Sequence, residues 1–276
     1  METIINGLKT NRAFAVTSVL VLVLIAIAFA APVLAPYDPT HATMQDAFMA
    51  PGGSHLFGTD KLGRDCLSRV LYGARASLSG VLFLVASVFI VGTSMGVISG
   101  YFGGKVDMVI MRISDMMISF PGMILAIAVA GIMGGSLVNA VIALTIVSWT
   151  KYARLARSMV LKVKKSLYIE AAVVNGTKTW KILLVHVLPN MVTQMVVTAA
   201  ADIGTMMLEL ASLSFLGFGA TAPTPEWGLM LNEGRTYMAK APWLMIYPGI
   251  AIVICVVVFN MLGDSIRDVL DPRQDQ

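Results

Sequence analysis

The sequence predicts an all-α integral membrane protein with six transmembrane helices, and three observations carry that expectation. Apolar residues make up 57% of the chain against 13% charged, and the mean hydropathy is +0.79. Several uncharged runs are long enough to cross a hydrocarbon core of about 30 Å, which takes about 20 helical residues. The 276 residues hold about six such runs with their loops, which leaves no room for an additional soluble catalytic domain. The net charge of +4 comes without a basic cluster interleaved with stacking aromatics, so nucleic-acid binding is not indicated. Cys66 and Cys255 imply neither a disulfide framework nor a Cys-based metal site.

In chain order, Lys9 and Arg12 precede an uncharged run from Ala13 to Tyr37. Ala28-Phe29-Ala30 resembles a signal-peptide cleavage site, but the run is longer than a usual signal core, so it reads as a retained first span. A polar connector follows from Pro36 to Ser77, and 1–77 form a unit of first helix and external connector. Leu67, Val70, Leu71, Ala74 and Leu78 recur at helical spacing, with Arg64, Ser68 and Arg75 on another face. That pattern suits a short amphipathic helix at the membrane interface, or a solvated linker. Leu78–Tyr101 is the second span and opens a five-helix core over 78–276, with Gly80, Gly92, Gly96 and Gly100 permitting close helix approach.

The next uncharged run, Met116 to Thr150, has 35 residues. One helix of that length would reach about 52 Å, so it reads as two spans broken at Gly131, Gly134 and Gly135, the first starting near Asp107 and kinked at Phe120-Pro121. Arg112 and Asp115, three apart on one face, are expected to neutralise each other. Lys151, Arg154 and Arg157 end the fourth span on a basic face. Met191–Leu216 is the fifth span, Gly217–Pro242 an irregular segment, and Trp243–Gly263 the sixth. Trp227, Tyr237, Trp243 and Tyr247 are placed as interfacial aromatics.

The interval between spans four and five, about 156–190, is the most distinctive stretch. Two short helical pieces, Lys162–Val174 and Thr177–Val187, flank Asn175-Gly176, a pair suited to a tight turn because Gly takes φ > 0 at no steric cost. Pro189 is expected to end the second piece and open the next helix. The spacing Glu170-Ala171-Ala172, three residues, Gly176, nine residues, one residue, one more, then Leu188-Pro189 resembles the signature of binding-protein-dependent ABC importer permeases. His186 stands where that signature has an aliphatic residue. Gly58-Thr59-Asp60-x-x-Gly63-Arg64-Asp65, Gly73-Ala74-Arg75-x-Ser77-Leu78, Pro223-Thr224-Pro225-Glu226-Trp227-Gly228 and Gly263-Asp264-x-x-Arg267-Asp268-x-Leu270-Asp271-Pro272 resemble the dipeptide, oligopeptide and nickel branch.

The resemblance implies a type I importer permease fold, with Glu170, Ala171, Ala172, Gly176, Leu188 and Pro189 in a cytoplasmic coupling helix. It also implies a homologous second permease, two ATP-binding subunits that hold the ATP and Mg, and an extracytoplasmic solute-binding protein. Membrane lipid is the remaining partner, and cargo of the peptide or nickel class is expected. Glu170 falls near the end of the first short helix, where the helix dipole disfavours an anion, so it reads as a contact for basic groups on the ATPase or the neighbouring segment.

Orientation follows from the basic residues. With a cytoplasmic N-terminus and six spans, fourteen of the twenty Lys and Arg fall inside, eight of them between Lys151 and Lys181. Both termini are then cytoplasmic, as in a bacterial inner-membrane protein. No Gly-x-x-x-x-Gly-Lys-[Ser/Thr] loop occurs, so the chain is expected to have no ATPase site, and no protease or hydrolase pattern is present. Asp202 and Glu209, seven apart, share a helical face at membrane depth, either lining a pathway or bonding a neighbouring helix. Asp115 and Met206 are the other pathway candidates. A secondary transporter using Asp115, Asp202 or Glu209 as proton or cation sites is the alternative, and it predicts inverted repeats, of which the sequence has no convincing pair. Met116-Met117 and Met206-Met207, adjacent pairs on different faces, suit packing better than a metal relay.

Overall fold

A computed structural model describes residues 11–270; Lys9, Asp271, Pro272 and Arg273 lie outside the described residues. The described chain is helical: α1 Arg12–Leu34, α2 Cys66–Phe102, α3 Gly104–Ile118, α4 Gly122–Met133, α5 Leu137–Lys164, α6 Leu167–Val174, α7 Thr179–Phe215, α8 Trp227–Gly234 and α9 Trp243–Leu270. The centre of the bundle is the parallel pair α2 and α5. Gly80 approaches Leu137, Gly92 approaches Tyr152, and Gly100 approaches Val160. A Cβ on Gly92 would lie 2.5 Å from the Trp149 carbonyl oxygen, so only glycine lets these backbones meet. Leu84, Val88, Leu144, Ala156 and Val160 close the seam and are buried.

Helix α7 runs antiparallel to α9, with Gly204 against Asn260 and Gly263 against Ala201. Helix α1 packs on α2 and α9, and Thr17 Oγ1 lies 3.5 Å from Ser265 Oγ. The start of α1, the ends of α2, α5 and α9, and the α6–α7 junction therefore share one end of the bundle. The connector and α8 occupy the other.

Four helices, α1, α2, α7 and α9, are each long and apolar enough to cross a membrane. A fifth crossing is made by α3 and α4 if the pair counts as one span, although they meet at 96°. Their 15 and 12 residues are each too short to cross alone, so the kink expected at Phe120-Pro121 is a sharp break. Helix α5 has the length, at 28 residues, but Lys151, Arg154 and Arg157 shorten its uncharged run. The expected count of six spans is therefore not met helix for helix.

Two other expectations are corrected. No separate interfacial helix precedes the second span: Asp65 caps α2 by accepting from the Ser68 N–H (2.7 Å), and the helix then runs unbroken for 37 residues. Trp227 is 3% exposed, so it is a core residue and not an interfacial anchor. Its indole N–H donates to the Val70 carbonyl (2.9 Å), while Glu226 caps α8 by accepting from the Gly228 and Leu229 N–H groups (2.9 and 2.8 Å).

Candidate functional site: the α6–α7 elbow and the charged face

Helix α5 ends at Lys164, and the chain restarts as α6 after Ser166. Glu170 thus lies in the first turn of a new helix, where its charge is favoured by the dipole. This reverses the expectation that it sits near the end of a longer helix, because the break at Lys165-Ser166 resets the helix ends. The far end of α6 closes as a Schellman turn. The Thr177 N–H donates to the Ala172 carbonyl and the Gly176 N–H to the Val173 carbonyl, both at 3.0 Å, with Gly176 at φ +71°. Nothing packs on Gly176, so its requirement is conformational and not steric.

After the turn, α7 begins at Thr179 and does not stop at Pro189, contrary to the expected helix end. Residues Ile182–Val187 form a π-helical segment, whose wider turn accommodates a proline that an α-helical interior would reject. Asn190 Nδ2 donates to the His186 carbonyl (2.6 Å), satisfying an acceptor there. The His186 ring faces Tyr168 of α6 at 6.3 Å, so the residue that departs from the aliphatic pattern joins the two arms of the elbow.

The elbow's surface is apolar with a basic fence. Leu167 and Val174 are 83% and 86% exposed, and Trp180 is 60% exposed. Lys162, Lys164, Lys165, Lys178 and Lys181, all exposed, flank them in sequence, and Lys164 donates to the Tyr101 carbonyl of α2 (2.7 Å). Glu170 and Ala171 are exposed, Ala172 and Leu188 half-buried, and Pro189 exposed. An apolar patch with a charged rim is the anatomy of a protein-docking surface.

The basic face of α5 is pinned residue by residue. Lys151 donates to both Asp202 oxygens (2.7 and 2.8 Å), with the Tyr152 hydroxyl donating at 3.0 Å. Arg154 pairs with Asp115 (2.7 Å), and Arg157 grips Asp107 (2.5 and 2.6 Å). Asp115 is therefore neutralised by α5 and not by Arg112, because the break at Pro121 leaves α3 lying across the end of α5. Asp202 has its partner inside the chain, whereas Glu209, half-buried on the same face, has no side-chain hydrogen bond among the described residues. Met206 is 5% exposed in the packed core. Among the described residues no group of three His, Cys, Asp or Glu is arranged to hold a metal.

Residues 92–276 match the family model described as the binding-protein-dependent transport system inner membrane component. The chain belongs to this family of transport permeases. Residues 3–51 of the permease also match the N-terminal transmembrane domain of oligopeptide transport permease C. It is 42% identical to the dipeptide transport system permease protein DppC of Alkalihalophilus pseudofirmus, over 96% of this chain and 88% of that one. It is 46% identical to the glutathione transport system permease protein GsiD of Pectobacterium atrosepticum, over 92% and 84%. The fold resembles inward-facing structures of the MetNI methionine ABC transporter, with a TM-score of 0.59 at 20% identity, covering 74% of this chain and 98% of that one. The protein is a multi-pass permease subunit of an ABC importer, in the peptide branch. Nothing supports the secondary-transporter alternative.

Sequence reasoning recognised the Gly58–Asp65 motif of this permease but missed what it builds. Asp60 accepts from the Leu62 and Arg64 N–H groups (2.8 and 3.0 Å) and from Arg64 Nε (2.6 Å). Arg64 and Arg69 both reach Glu233 in the last turn of α8 (3.1 and 2.7 Å), and both arginines are buried. The motif thus locks the connector and α2 to α8. Glu233, 164 residues from Arg69, carried no local signal.

Proposed function

We propose that the subunit carries peptide-class cargo through a pathway shared with a homologous second permease, and that two ATP-binding subunits drive it through the α6–α7 elbow. The exposed apolar elbow, flanked in sequence by five exposed lysines, carries this reading. Leu167, Val174 and Trp180 fill a groove on the ATPase, and the lysines meet an acidic margin. The ATPases bind ATP and Mg; this chain has no nucleotide site of its own. Their closure draws two elbows together, and each rigid α5–α6–α7 unit passes the displacement to the bundle.

The elbow end is cytoplasmic in this reading, and both termini lie with it. The inward bias of basic residues supports it, more strongly because buried Arg64 and Arg69 at the connector end are neutralised by Asp60 and Glu233. A solute-binding protein docks on the opposite face, on the connector and α8, in the inner membrane of a bacterium. Glu170, Ala171, Ala172, Gly176, Leu188 and Pro189 shape the coupling element, and Asp115, Asp202 and Glu209 face the pathway.

The relatives named for dipeptides and glutathione favour peptide over nickel as cargo. The test is uptake into vesicles holding the purified complex and its binding protein. A labelled dipeptide should enter with ATP, and unlabelled dipeptide should compete. Uptake of nickel ions without uptake of peptide would overturn the cargo assignment.

A further inference from the structure

A groove of about 430 Å³ runs between α1 and α2, with Ile25 and Phe29 on one wall and Arg75, Leu78, Ser79 and Leu82 on the other. Phe29 is 74% exposed and Leu82 42%, while Arg75 and Ser79 are exposed at its mouth. Arg64, Arg69, Arg154 and Arg157 each meet a carboxylate, whereas Arg75 has no ion-pair partner among the described residues. Arg75 is the one cation among the residues lining the groove, and the neighbouring Ser79 hydroxyl donates to the Ala76 carbonyl (3.1 Å).

Its depth is set by the helix. Twenty-seven uncharged residues separate Arg75 from the end of α2 at Phe102, about 40 Å of helix against a hydrocarbon core of about 30 Å. Arg75 therefore stands at headgroup level on the connector side. Leu78 and Leu82 lie one and two turns deeper on the same face, toward the acyl region. The free faces of α1 carry bulky aliphatic side chains, with Val19, Leu22 and Val33 58%, 64% and 87% exposed, and not the small residues of a helix–helix seam.

We propose that this groove binds an anionic phospholipid. The phosphate sits on the Arg75 guanidinium, whose planar fork suits two phosphate oxygens, and one acyl chain lies along Phe29, Leu78 and Leu82. A zwitterionic lipid carries its own ammonium beside the phosphate and gains less from Arg75. One basic group at the membrane surface favours the anionic lipid by about five-fold.

The test uses the complete complex carrying Phe29→Trp in phosphatidylcholine vesicles, with one-tenth of the lipid replaced by brominated phosphatidylglycerol or brominated phosphatidylcholine. Quenching is measured after subtracting the complex without that substitution. Brominated phosphatidylglycerol should win by about five-fold in apparent affinity, Arg75→Gln should equalise the two lipids, and Arg75→Lys should keep most of the preference. Equal quenching with Arg75 present, or a preference that survives Arg75→Gln, would overturn the proposal. Absence of quenching by either lipid would overturn it too, by showing that protein covers the groove.

Discussion

Arg69 and Arg154 both meet a carboxylate at 2.7 Å, yet burial gives the two pairs different weights. The Arg69 side chain is 2% exposed and its partner Glu233 18%, so losing Glu233 leaves the buried Arg64 and Arg69 to share Asp60 alone, at a cost of up to about 3–5 kcal/mol. The Arg154 and Asp115 side chains are 45% and 58% exposed, and their pair is screened to about 0–1 kcal/mol. Glu233→Gln should therefore lower the thermal midpoint of the detergent-solubilised complex markedly, while Asp115→Asn leaves it nearly unchanged. Equal shifts would show that the buried cluster is not a lock. Asp60, Arg64 and Asp65 stood out in the sequence through their family-like motif, but neither the Arg154–Asp115 nor the Arg69–Glu233 pairing was legible. Both join residues distant in sequence, and Arg112 offered Asp115 a nearer but wrong partner. Glu170 was misplaced for a related reason: a short break at Lys165-Ser166 has no strong sequence mark, yet it converts a helix end into a helix beginning.

At the scale of elements, glycine spacing was the most readable signal. Gly80, Gly92, Gly96 and Gly100 promised a close seam, and that seam is the α2–α5 contact. Gly96→Val should push a branched side chain into Ala153 and Ala156, cost about 1–3 kcal/mol or more, and reduce recovery of assembled complex from membranes. Normal recovery would mean that the helices do not meet there. The uncharged 35-residue run foretold the break at Gly134-Gly135 between α4 and α5, since no single helix of that length suits the bilayer, whereas at Phe120-Pro121 it promised only a kink. The continuity of α7 through Pro189 was hidden, because a π segment that tolerates proline leaves no pattern in residue types. Glu170→Ala should loosen the first turn of α6 by about 0.3–1 kcal/mol, too little to unfold the subunit. Its effect should appear as weaker co-purification of the ATPase chains, and unchanged co-purification would remove Glu170 from the docking surface.

For the whole molecule, the shared end of α1, α6 and α9 turns orientation into one question with several reporters. Cys66 and Cys255 are buried, which keeps the background low for introduced cysteines. Cysteines at Met44, 68% exposed, and at Thr224 should react with an impermeant thiol reagent in intact cells, and one at Lys164 only after permeabilisation. Labelling of Lys164→Cys in intact cells would invert the assignment. Gly176 isolates the proposed transmission of ATP hydrolysis from the elbow to the bundle, because a side chain added there would meet nothing within 4 Å while the backbone holds φ +71°. A β-branched side chain there adds about 1–3 kcal/mol of local strain and misaligns α6 against α7 without reaching the spans. The most direct measurement is uptake per ATP hydrolysed by the reconstituted complex carrying Gly176→Val, with subunit stoichiometry checked in the same preparation. The permease pair should stay intact while its uptake falls at least about ten-fold and ATP hydrolysis no longer responds to the loaded binding protein. Uptake and coupling equal to those of the unmodified complex would contradict the proposed transmission.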